Sequence, residues 1–126
     1  MKWMFLVLFA SCSAEAATCI SSDEQAFLWN QKYRSQFDVQ NEYTDGSYAI
    51  EVYAPAALDE LEFKNAAFAI GNEESPILYI PVKTFMSEGK RVLFYAVEAE
   101  MVRKQFLIFT YGEGCGISVS IPVEFN

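Results

Sequence analysis

Four groups of residues in this chain have types and spacings that chemistry could use: two carboxylate pairs, a serine–lysine spacing, a glycine-rich stretch and the cysteines. Glu60 and Glu62 share a parity, as do Glu98 and Glu100. In an extended strand each pair sits on one face at ~7 Å, a separation at which two carboxyls can divide acid and base roles in glycoside hydrolysis. Both pairs fall on the polar side of amphipathic strands, where carboxylates also keep a strand soluble, and that second role is expected. Ser87-Glu88-Gly89-Lys90 has the S-x-x-K spacing in which lysine activates a serine nucleophile. That chemistry needs the serine at a helix start. Here Gly89 stands between two strand-like runs, and neither S-D-N nor K-T-G follows, so a hairpin turn is expected. Gly112-Glu113-Gly114-Cys115-Gly116 would have to open a helix to cradle phosphate. The residues after it alternate as a strand and no Gly-Lys-Ser/Thr is present, so these glycines read as a tight turn. Asn72-Glu73-Glu74 lacks the D-x-D-x-D-G spacing of a calcium loop.

Composition narrows the function classes. The chain has 126 residues, 9 Lys+Arg, 17 Asp+Glu and no histidine, for a net charge of −8. Nucleic-acid surfaces need clustered Lys and Arg to replace phosphate counterions, so no nucleic-acid partner is expected. Without histidine the chain lacks the commonest proton shuttle near neutral pH and the commonest metal ligand. No catalytic residue, metal site or cofactor is expected.

Part of the apolar content belongs to a leader. Lys2 precedes an apolar run, Trp3 to Ala10, and then small residues ending in Ala14-Glu15-Ala16-Ala17. A basic start, a short apolar stretch and an A-x-A site predict a signal peptide over 1–16, cut between Ala16 and Ala17. The run is too short for ~30 Å of hydrocarbon, which takes ~20 helical residues, so no membrane span is expected. Cleavage removes Lys2 and Glu15 together, leaving the charge at −8. Residues 17–126 are then a single exported domain, secreted or periplasmic. Phe9-Ala10-Ser11-Cys12 is also similar to a bacterial lipobox, with Phe9 where leucine is usual; on that reading Cys12 carries a lipid anchor. In either case Cys19 and Cys115 remain, and an even pair in an exported chain predicts a disulfide. Closing nearly the whole domain, that bridge contributes on the order of 4–5 kcal/mol in the chain-entropy model.

The elements that must position these groups are mostly strands. Residues 22–34 lack Gly and Pro, and Ala26, Trp29, Tyr33 and Phe37 recur at helical intervals, although Phe27, Trp29, Tyr33 and Phe37 also share strand parity. A helix is the reading adopted. Thr44-Asp45-Gly46-Ser47 predicts a two-residue hairpin turn that pairs Tyr43 with Tyr48, Asn41 with Ile50, Val39 with Val52 and Phe37 with Ala54. Further strands are expected at 60–70, 77–85, 91–98, 105–111 and 115–124. Pro81 marks an edge, because proline cannot donate to a ladder.

The order Cys19, Trp29, Cys115 is similar to the Cys…Trp…Cys order of immunoglobulin domains, with Glu113 standing where that family has tyrosine. A helix wrapped by an antiparallel sheet is similar in outline to cystatins, whose Q-x-V-x-G loop is absent. The fold expected is mostly β: a single antiparallel β-sandwich of immunoglobulin-like architecture, with one N-terminal helix packed on the sheet.

Two strands are apolar on both faces. Val92, Phe94 and Ala96 oppose Leu93, Tyr95 and Val97; Phe106 and Ile108 oppose Leu107, Phe109 and Tyr111. Either the 22–34 helix covers the second face, or that face docks a partner. The function expected is a small non-enzymatic domain binding another envelope or extracellular protein through Tyr95, Phe109, Tyr111 and the nearby Glu98. Two alternatives stand beside it: an acidic inhibitor of a basic enzyme such as a lysozyme, steered by charge, and a carboxylate-based hydrolase. The partner's identity and the oligomeric state are not written in the sequence.

Overall fold

The computed structural model describes residues 23–72, 75–114 and 116–125. Within them the chain forms one helix, α1 (Asp23–Tyr33), and nine strands in two antiparallel sheets: β1 (Asp38–Thr44), β2 (Ser47–Pro55), β3 (Ala57–Leu58), β4 (Leu61–Asn72), β5 (Ser75–Val82), β6 (Phe85–Ser87), β7 (Lys90–Glu98), β8 (Gln105–Tyr111) and β9 (Ile117–Val123). The first sheet has the order β1-β2-β7-β6. In the second, β4 pairs with β8 on one side and with both β3 and β5 on the other, and β8 carries β9.

The first hairpin has the expected register, with Tyr43 opposite Tyr48, Asn41 opposite Ile50 and Val39 opposite Val52. Its turn residues Asp45 and Gly46 both have positive φ, 50° and 83°. That is the left-handed pair whose twist matches the flanking strands. Glu88 and Gly89 repeat the arrangement between β6 and β7, so Ser87 and Lys90 face each other across a hairpin and not along a helix. The turn between β3 and β4 uses Asp59 and Glu60 at φ 44° and 70°, with no glycine at all.

Alternation along the strands builds one core from both sheets. Ile50, Val52 and Ala54 of β2 and Leu93 of β7 meet Leu107, Phe109 and Tyr111 of β8 and Val119 and Ile121 of β9. Each of these side chains larger than alanine contributes about 1.5–3 kcal/mol of apolar burial. Gly116 allows the return from β8 to β9. A Cβ there would lie 1.7 Å from the Tyr111 carbonyl oxygen, inside any contact distance.

Two expectations are corrected. The 77–85 run is two strands: the chain leaves β5 after Val82 and crosses to the other sheet as β6. The 22–34 segment is helical as read, but it packs on the β9 edge and not over the second apolar face. Asn30 and Arg34 lie one helical turn apart. Asn30 Oδ1 accepts from the Ser120 N–H at 2.8 Å, and Arg34 Nε donates to the Ser120 carbonyl at 2.7 Å. The helix thereby occupies backbone groups that an edge strand would otherwise present to a neighbour.

Candidate functional site

The structure does not bring the four expected binding residues to one surface. Phe109 and Tyr111 are fully buried. Their parity on β8 turns them into the shared core, where Phe37 and Phe63 pack against both rings. The Tyr111 hydroxyl donates to the Pro55 carbonyl at 2.7 Å, and burial pushes its ionisation well above the ordinary tyrosine range. Tyr95 is half-buried and core-facing. It stands edge-on to Phe68 at 5.4 Å between ring centroids and donates to Gln105 Oε1 at 3.1 Å, tying one sheet to the other. Glu98 is exposed at the far end of β7. Of the carboxylate pairs, Glu60 occupies the β3–β4 turn while Glu62 is on β4, and Glu98 ends β7 while Glu100 lies in a 3-10 turn. Neither pair shares a strand face. Cys12, Ala16, Ala17, Cys19 and Cys115 lie outside the described residues.

The exposed apolar surface is elsewhere. Ile77, Leu78, Tyr79 and Ile80 of β5 are 86%, 44%, 53% and 43% exposed, and Phe94 of β7 is 61% exposed. The sequence carries a signal for the first four: an unbroken apolar run bracketed by Pro76 and Pro81, with none of the alternation that a one-sided strand shows.

Register fixes which backbone groups this side of the molecule presents. Ser87 and Lys90 close a two-residue turn, so Lys90 and Val92 direct N–H and C=O toward β6. By alternation Phe94, Ala96 and Glu98 direct theirs the same way, beyond the point where β6 leaves the ladder. On the second sheet, the Gly71 N–H donates to Lys104 O at 3.0 Å, so Ala67 and Ala69 also address β8. Phe68 and Ala66 then address Ile80 and Val82, which leaves Tyr79 and Pro81 pointing outward from β5, while Ile77 is the extra residue of a bulge opposite Ile70 and Gly71. Pro81 sits where an edge would otherwise offer an N–H.

Between these two edges runs an apolar groove of about 450 Å³. Phe68, Ile80 and Val82 form one wall, and Leu93, Tyr95 and Val97 the other. Lys83 and Phe94 mark one end. At the other end of the β7 edge, Asp45, Glu98 and Glu100 line a separate shallow hollow, closed by a hydrogen bond from the Ala99 N–H to Gly46 O at 2.8 Å. The groove is therefore apolar along its length with Lys83 in its lining, while Glu98 and Glu100 lie at the far end of the β7 edge in the separate hollow.

A further hollow, about 620 Å³, lies where α1 meets β9, and its Asn30 and Arg34 already serve the β9 edge. Among the described residues, no three His, Cys, Asp or Glu side chains gather as a metal site would require. No helix of the described residues is long and apolar enough to cross a membrane. No family model, curated protein or solved structure matches the chain.

Proposed function

We propose that this chain is an exported, non-enzymatic binding domain that docks another protein of the envelope or extracellular space along the groove between β5 and β7. One observation carries the reading: an apolar groove walled by Phe68, Ile80, Val82, Leu93, Tyr95 and Val97 opens between two strand edges that no described element covers. Scattered apolar residues are ordinary on a surface, whereas an apolar groove between open edges marks a contact face. Export rests on the basic, apolar and A-x-A features of residues 1–16. The framework is best read as a β-sandwich of immunoglobulin-like architecture. Lettered in chain order with β3 left out, the two sheets run A-B-E-D and C′-C-F-G. The family's buried tryptophan has no counterpart on strand C, since Trp29 lies in α1.

A photo-crosslinking residue at position 94, with position 113 on the opposite side as control, tests the docking face. The expected result is a discrete adduct from position 94 alone, lost when Ile80, an exposed residue of the groove wall, is changed to serine. Adducts of equal yield from both positions would refute the assignment. A captured basic enzyme whose affinity falls steeply with salt would favour the inhibitor reading instead.

A further inference from the structure

We infer that the occupant of this groove is an extended peptide segment that adds to the β7 edge antiparallel to it, basic toward its N-terminal end and apolar at alternate positions. The inference rests on the docking reading above and adds the occupant's conformation, direction and charge.

Conformation follows from the ladder. β6 covers only Lys90, Arg91 and Val92 before the chain departs through Lys83 and Thr84 to the other sheet. Phe94, Ala96 and Glu98 therefore each hold an N–H and a C=O in the line that a longer β6 would have filled. A peptide completing that line makes paired backbone hydrogen bonds at these three residues. Its intervening side chains, opposite Tyr95 and Val97, enter the gap walled by Phe68 and Ile80. Backbone bonds holding the strand while pockets read alternate side chains is the general mode of strand addition.

Direction follows from continuity and from charge. A strand collinear with β6 runs antiparallel to β7, the more stable pairing. It begins beside Glu98 and ends beside Phe94. Glu98 and Glu100, at and just past the end of β7, thus lie beside its N-terminal end, and Lys83 lies beside its C-terminal end. A segment with Lys or Arg leading and a carboxylate trailing meets opposite charge at both ends. The reversed charge order meets like charge at both.

Two fluorescent eight-residue peptides of equal net charge test this: Lys-Lys-Thr-Val-Thr-Val-Glu-Glu and its charge-swapped counterpart Glu-Glu-Thr-Val-Thr-Val-Lys-Lys. Binding is read by anisotropy, and amide hydrogen exchange is followed at Phe94, Ala96 and Glu98. The first peptide is expected to bind ~10-fold more tightly, the size that a few exposed ion pairs supply, and to slow exchange at all three amides. In the Glu98→Lys, Glu100→Lys variant, whose changed side chains are exposed, the preference is expected to reverse. Equal binding of both peptides with slowed exchange would overturn the charge order and leave groove docking intact. Binding without slowed exchange at these amides would overturn strand addition. Binding of neither peptide would overturn the inference, and the position-94 crosslink then decides the docking reading alone.

Discussion

Tyr111→Phe separates a core tyrosine from a surface one. The ring is fully buried between Phe37 and Phe63, and substitution to phenylalanine keeps every one of those contacts. Only the hydroxyl goes, and with it the 2.7 Å bond to the Pro55 carbonyl. Pro55 lies past the end of β1, whose last partner on β2 is Tyr53, so that carbonyl has no ladder partner on the β1 side. Losing the bond costs about 1 kcal/mol net, approaching 2 kcal/mol because the acceptor is left partly shielded from water. For a domain of this size that is a fall of about 4–8 °C in melting temperature. Calorimetry on Tyr111→Phe measures it, with Tyr43→Phe as control because Tyr43 is 56% exposed and should change little. Ultraviolet titration adds an independent reading, since the raised ionisation of Tyr111 removes one tyrosinate from the ordinary alkaline step. Equal melting temperatures for the two variants, with Tyr111 titrating normally, would refute its placement in the core.

Glu60→Gly should stabilise the chain by about 0.5–1 kcal/mol. It relieves a left-handed residue that costs about 1–2 kcal/mol in side-chain strain and incurs part of that back as glycine entropy; an unshifted urea midpoint at constant slope would contradict this. Thr84→Val should also stabilise, by about 1 kcal/mol, because Thr84 Oγ1 is buried without a hydrogen-bond partner and valine has the same shape without the hydroxyl. A lower midpoint would show that the hydroxyl is bonded in solution. Asp59 is held below the usual carboxylate range, first by the Tyr33 hydroxyl and then by Lys32. A depressed carboxyl stabilises above its unfolded pKa and loses that contribution as pH falls through the folded value. Asp59→Asn should therefore melt below the parent by a constant amount above about pH 5, and the two should converge on acidification; a gap that persists undiminished to pH 2 would count against the interaction.

Local chemistry made much of the framework readable. Asp45-Gly46 sets the first hairpin because its left-handed residues and its alternating apolar face specify the same register. Gln105–Tyr111 was legible as a strand from its composition alone. Which face of a doubly apolar strand turns inward was not legible, because nothing in a run such as Leu93-Phe94-Tyr95 distinguishes its two parities. Long-range pairing decides that Tyr95 looks toward the other sheet while Phe94 looks out. The crossing at Lys83-Thr84 was hidden for the same reason: two residues without glycine or proline carry no local sign of a change of sheet. Asp59-Glu60 escaped notice because glutamate stands where such a turn usually has glycine, at the second left-handed position that the β3–β4 turn imposes. The surface consequently shifted from Phe109 and Tyr111 to β5 and Phe94.

The helix seated on β9 has a further consequence, for assembly. A sheet open at both margins can be lengthened from either, and copies joined that way grow into fibres. Here α1 withdraws the Ser120 amide and carbonyl from use, so the second sheet is left with β5 as its margin for strand addition. A segment seated at β5 ends that sheet and is not a link in a longer one. Growth of the second sheet from copy to copy is therefore blocked on the β9 side by the chain's own helix.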